Sequence, residues 1–105
     1  MNQNTFSRIL QQHENVVVLI STTECRACKL VKKWLPETNY FRVDFVMDRM
    51  DDEFSDSIIS LWHIRSFPTF VKIQSGSVIG VFVPSDNAFA KKSTFQSELI
   101  QFLNN

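Results

Sequence analysis

The residues best suited to chemistry are two cysteines, Cys25 and Cys28, separated by Arg26-Ala27. A thiolate attacks disulfides, and a second thiol close by can displace the mixed disulfide that results. A spacer of two residues lets the intramolecular disulfide close with little backbone movement. The pair follows the run Val16-Val17-Val18-Leu19-Ile20 and opens a helical stretch. That places Cys25 at or near a helix N-cap, where free backbone N–H groups and the helix dipole favour a thiolate. Arg26 and Lys29 add positive charge, Glu24 stands just before the pair, and Cys28 lies one turn deeper. The same residues leave two other readings open. A C-x-x-C can be half of a zinc site, with His13 and His63 the further ligands this chain offers. It can also be chemically inert. A Cys2His2 site would need both histidines beside the cysteines, and His13 belongs to the far end of the first helix.

A second signal is Ser66-Phe67-Pro68-Thr69-Phe70. Pro68 stands directly before a strand that reads as central or next to central, where proline cannot donate to the ladder. It fits a turn, cis or trans, that presents backbone to a neighbour. An ordinary strand-initiating proline fits as well.

The elements that must position these residues follow one another without a linker. Thr5 caps a first helix with Phe6, Ile9 and Leu10 on one face, ending at Asn15. The β-branched run 16–20 has no polar alternation, which predicts a strand covered on both faces. In the second helix Ala27, Leu30, Val31, Trp34 and Leu35 share a stripe, Arg26, Lys29, Lys32 and Lys33 face away, and Pro36 stops it. Tyr40 to Met47 predicts a second strand. Acids from Asp48 to Asp56 lead into a third helix that buries Phe54, Ile58, Leu61 and Trp62. Thr69–Ile73 and Val78–Val83 form a hairpin around Gln74-Ser75-Gly76-Ser77. Ser93 and Gln96 form a capping box for a last helix with Phe95, Leu99, Ile100 and Leu103 inward. The order α-β-α-β-α-β-β-α predicts an α/β domain with a parallel portion and an antiparallel edge.

Composition narrows the function classes. One hundred and five residues make one domain, and 44% hydrophobic residues with ten Phe are enough for a packed core. Eleven basic and eleven acidic residues cancel, so neither nucleic acid nor an anionic membrane surface is expected as a partner. No apolar run reaches the ~20 residues of a membrane span. The polar first ten residues do not resemble a secretory signal, and two close cysteines cannot staple a secreted scaffold, so a cytoplasmic protein is expected. Trp34 and Trp62 read as core, His63 as a helix-end residue, and the acidic run and the basic helix face as solvated surface.

A buried strand, a C-x-x-C opening a helix, then Ile64-Arg65-Ser66-Phe67-Pro68-Thr69-Phe70, a hairpin with Gly76 and a final amphipathic helix: in this order the pattern resembles the thioredoxin superfamily over nearly the whole chain. The resemblance implies a four-stranded mixed sheet flanked by helices on both faces, lacking the first family strand. It makes Cys25 the attacking and Cys28 the resolving cysteine. It makes Pro68 the cis-proline facing the disulfide, with the Phe67 backbone free to pair with an extended substrate. The implied function is thiol–disulfide exchange on a disulfide-containing protein, recycled by a thiol reductant or reductase, without cofactor or metal, by a monomer. The alternative is an interaction module with a vestigial or regulatory cysteine pair. The departures are specific. Glu24 replaces the tryptophan before the first cysteine, and Arg26-Ala27 replaces Gly-Pro between the two. Leu19 replaces the buried aspartate, Asp44 aligns with its accompanying lysine, and Pro84 falls near the glycine after the last strand.

Overall fold

The computed structural model describes residues 1–105. Helix α1 spans Gln3–Gln12, strand β1 Asn15–Ser21, helix α2 Arg26–Trp34 and strand β2 Phe41–Val46. Helix α3 spans Asp52–Leu61, strands β3 and β4 Thr69–Gln74 and Ser77–Phe82, and helix α4 Lys92–Asn104. Single 3-10 turns lie at Met47–Arg49 and Asp86–Phe89. The four strands form one sheet in the order β2-β1-β3-β4, with β1 parallel to β2 and the other pairs antiparallel.

The continuous apolar run of β1 has the expected consequence. Val16, Val18 and Ile20 join Val43, Phe45, Val71 and Ile73 in a core that Phe6 of α1 and Ile58 of α3 complete. Leu19 points the other way, with Phe70, into a second core built by Val31 of α2 and by Phe95, Leu99 and Leu103 of α4. Successive side chains of a strand face opposite sides, so one unbroken run supplies both layers. Ser75 and Gly76 carry φ of 50° and 81° in the two-residue hairpin turn, the left-handed pair that matches strand twist.

Several local expectations are corrected. Helix α1 begins earlier: Asn2 caps it by accepting from the Thr5 N–H at 2.9 Å, so Thr5 is inside. Ile9 and Leu10 pack only at the edge of the core. Leu61 is 74% exposed, because the inward line of α3 runs Ser55–Ile58 toward Trp62 and Ser55 is itself buried. Ser55 turns its hydroxyl onto the Asp52 carbonyl, which satisfies the polar group locally. Ile100 is exposed because α4 is centred on Phe95, Leu99 and Leu103. Ser93 is not a cap: α4 starts after Lys91, and Gln96 instead donates to the Trp34 carbonyl at the end of α2. Strand β2 starts at Phe41 rather than Tyr40, and Met47 leaves it for the first 3-10 turn.

Candidate active site

Strand β1 ends at Ser21, and the turn Thr22–Glu24 carries the chain to the head of α2. Cys25 is the N-cap residue, in extended conformation, and its Sγ accepts from the Cys28 N–H at 3.1 Å. A sulfur at this position takes up one of the helix's unpaired donors, as an oxygen cap would. Cys25 and Cys28 are disulfide-bonded with Cα atoms 5.2 Å apart. Their environments differ sharply. Cys25 is half-buried at the surface, whereas Cys28 is 1% exposed among the first residues of α2. The asymmetry suits one reachable and one sheltered sulfur.

The segment before β3 closes the site from the other side. The Phe67–Pro68 peptide bond is cis, Pro68 is buried, and the Phe67 carbonyl oxygen lies 4.0 Å from Cys25 Sγ. Thr69 Oγ1 donates to the Ser66 carbonyl at 2.7 Å and fixes the bend. The Phe67 side chain is 37% exposed beside the cysteines. Thus Cys25, Cys28, Phe67 and Pro68, forty residues apart in sequence, meet at one end of the sheet. Glu24, Arg26 and Lys29 are exposed around the pair and Ala27 is half-buried between the two cysteines. Helix α2 has no acidic residue in its first turn, so nothing on that turn opposes a thiolate-stabilising field.

Behind the pair, Leu19 is 1% exposed and stands opposite Asp44 of β2 and Phe70 of β3 in the register. Asp44 forms a bidentate ion pair with Arg42, both contacts 2.7 Å, on the exposed side of that edge strand. No aspartate or glutamate is buried, and Leu19 packs among apolar side chains. The two histidines stand elsewhere: His13 stacks on Phe41 with ring centroids 3.8 Å apart, and His63 ends α3 with φ of 55°. No three His, Cys, Asp or Glu side chains come together as a metal-binding group.

Two residues that sequence reasoning left among the solvated or unremarked positions take defined roles here. Asp48 accepts a hydrogen bond from the Thr23 N–H at 3.0 Å, in the turn before Cys25. Its carboxyl is held below the ordinary 3.8, first by hydrogen bonding from the Thr23 side chain, then by the Thr23 backbone and the Arg49 charge. Lys72 is 3% exposed and donates to the carbonyls of Phe102 and Asn105 at 2.7 and 2.6 Å. The acidic run after β2 was the only sequence signal for Asp48, and an apolar-flanked lysine in a strand the only one for Lys72.

Comparison with known proteins agrees with this geometry. The family profile for thioredoxin matches residues 1–101. A search of curated protein sequences found no match. Among solved structures, a Plasmodium falciparum thioredoxin is 21% identical, covers 97% of this chain and 91% of its own, and superposes with a TM-score of 0.68. Thioredoxin F from spinach chloroplast is 21% identical, with coverage of 100% and 91% and a TM-score of 0.69. Mitochondrial thioredoxin 3 from Saccharomyces cerevisiae, in its oxidised form, is 19% identical, with coverage of 93% and 88% and a TM-score of 0.60.

Proposed function

Because the chain belongs to the thioredoxin family, we propose that it is a thiol–disulfide oxidoreductase that reduces or exchanges disulfides in protein substrates through Cys25 and Cys28. The observation that carries the reading is the pairing of a reachable cap sulfur, Cys25, with a sheltered partner, Cys28, beside the Phe67 carbonyl. In the reduced protein the Cys25 thiolate attacks one sulfur of a substrate disulfide. A Cys25–substrate mixed disulfide forms, and the other substrate sulfur leaves as a thiolate that takes a proton from water. Cys28 then loses its proton and attacks Cys25 Sγ, the second substrate thiolate leaves, and the protein is left oxidised. Two electrons have passed to the substrate, and a thiol reductant or reductase must return them. An extended substrate segment pairs with the Phe67 backbone, while Glu24, Arg26 and Lys29 set the charge around the nucleophile. No metal or organic cofactor enters this chemistry. No helix is long and apolar enough to cross a membrane. We further propose, from the sequence expectation alone, that it acts in the cytoplasm as a monomer.

Reduction of insulin driven by dithiothreitol tests the reading. Wild type accelerates precipitation of the insulin chains, and both Cys25→Ser and Cys28→Ser lose the acceleration. A wild type no faster than dithiothreitol alone contradicts it and favours the interaction-module alternative. The reduction potential of the couple then sets the direction: a value near −270 mV marks a reductase and one near −120 mV an oxidant.

A further inference from the structure

The turn Thr22–Glu24 delivers the nucleophile, yet it belongs to neither the strand before it nor the helix after it. Thr23 ties it to the rest of the chain: its N–H donates to Asp48 Oδ1 at 3.0 Å across twenty-five positions of sequence, and its side chain hydrogen-bonds the same carboxylate. The acceptor is firmly based. Asp48 sits in the 3-10 turn after β2, and its neighbours Met47 and Met50 are 7% and 8% exposed in the core with Phe45 and Ile58. Its carboxylate is therefore mounted on the packed layer, while the turn it holds is at the surface. At the end of β1, just before this turn, Ser21 Oγ donates to the Phe45 carbonyl, so β2 and the 3-10 turn after it each brace this corner once.

We propose that Asp48 is a positioning residue for Cys25: through Thr23 it holds the turn that sets the nucleophile at the head of α2. The inference rests on the thiol–disulfide reading of the site. Cap geometry is demanding, because Cys25 Sγ must stay within hydrogen-bond reach of the Cys28 N–H to keep a helix donor on the thiolate. A turn without its tether lets Cys25 move off the helix end and away from the Phe67 carbonyl. Displacements of about 1 Å at a reacting atom cost up to roughly a hundredfold in rate, and a loosened but still covalently connected turn should cost about tenfold.

The test compares Asp48→Ala with Asp48→Asn. Both lack the carboxylate charge, and only Asn keeps an oxygen for the Thr23 N–H, so their difference reads the hydrogen bond alone. Asp52→Ala, at an exposed acid of the same segment, controls for general charge. The Ala variant should lower kcat/KM for a disulfide substrate about tenfold, with Asn within twofold of wild type and the melting temperatures of all variants close together. On a Cys28→Ser background, the Cys25 thiolate pKa should be higher in Asp48→Ala than in Asp48→Asn. Equal rates in Ala and wild type overturn the proposal. An Asn variant as impaired as Ala overturns it too, since charge rather than the tether would then be responsible. If wild type reduces no disulfide at all, the reading of the site fails. The thiolate titration then judges the tether by itself, and coincident curves for Ala and Asn reject it.

Discussion

At the scale of single residues, the site combines two environments for one element, sulfur. Cys25 holds a cap position with a backbone donor at 3.1 Å, next to Arg26 and one turn from Lys29. These surroundings favour the anion, so Cys25 should titrate below the ~8.5 of a free cysteine. Thiolate absorbance of Cys28→Ser against pH checks this, and an apparent pKa at or above that value contradicts it. Cys28 faces the reverse conditions. It is 1% exposed, and the layer behind it holds Leu19 rather than a carboxylate. Desolvation disfavours its thiolate and no buried base takes its proton. Release of the mixed disulfide should therefore be slow near neutrality and quicken as pH rises toward the Cys28 pKa. Leu19→Asp should speed release at pH 7 while costing stability, because it places an acid in the apolar layer of Val31 and Phe70. Stopped-flow rates that stay flat with pH in wild type would remove deprotonation of Cys28 as the slow step. The cysteine pair was legible in the sequence because spacing and residue type carry its chemistry, whereas the cis-proline role of Pro68 came only from the resemblance to the thioredoxin superfamily, since an ordinary strand-initiating proline fits the same residues. Asp48 was not legible, since its partner is a backbone N–H and any acid near the end of β2 looks like solvated charge.

At the scale of elements, legibility followed how far a segment's own pattern determines its burial. The run 16–20 could only be a strand covered on both sides, and it is. Helix α3 misled because a buried serine, Ser55, lies on its inward line, so the apolar residues alone point the stripe toward Leu61. The last turn of α4 shows a device with no local signature. Its carbonyls are capped from strand β3 and from the segment just before β2: Lys72 takes those of Phe102 and Asn105, and Tyr40 Oη donates to that of Leu103 at 3.0 Å. A cation at a helix C-terminus opposes the dipole's negative end. The ammonium also lies 5.0 Å from the centroid of the Phe102 ring, which packs so close to Gly80 that a Cβ there would meet it at 3.0 Å. Lys72→Met keeps the aliphatic stem but leaves two carbonyls without their charged donor. It should destabilise the fold by about 1–2 kcal/mol, allowing for the relief of burying no charge. Urea unfolding measures this, and a stabilised variant would show that burial of the ammonium outweighs its hydrogen bonds.

At the scale of the molecule, two apolar layers on a four-stranded sheet converge on one task. The layer with α2 and α4 anchors the helix that carries the cysteines, and the layer with α1 and α3 anchors β2 and the corner that Asp48 braces. Between them β3 brings the Phe67–Pro68 bend to the same end of the sheet. The fold thereby exposes one sulfur and shelters the other, and this inequality is the central claim. Trapping the mixed disulfide tests it most directly. Reduced Cys28→Ser and Cys25→Ser are each incubated with a disulfide-containing protein, and adducts are mapped by mass spectrometry after alkylation of free thiols. The account predicts a stable adduct on Cys25 in the Cys28→Ser variant and little or none on Cys28 in the Cys25→Ser variant. Equal adducts on both cysteines, or none on Cys25, would contradict it.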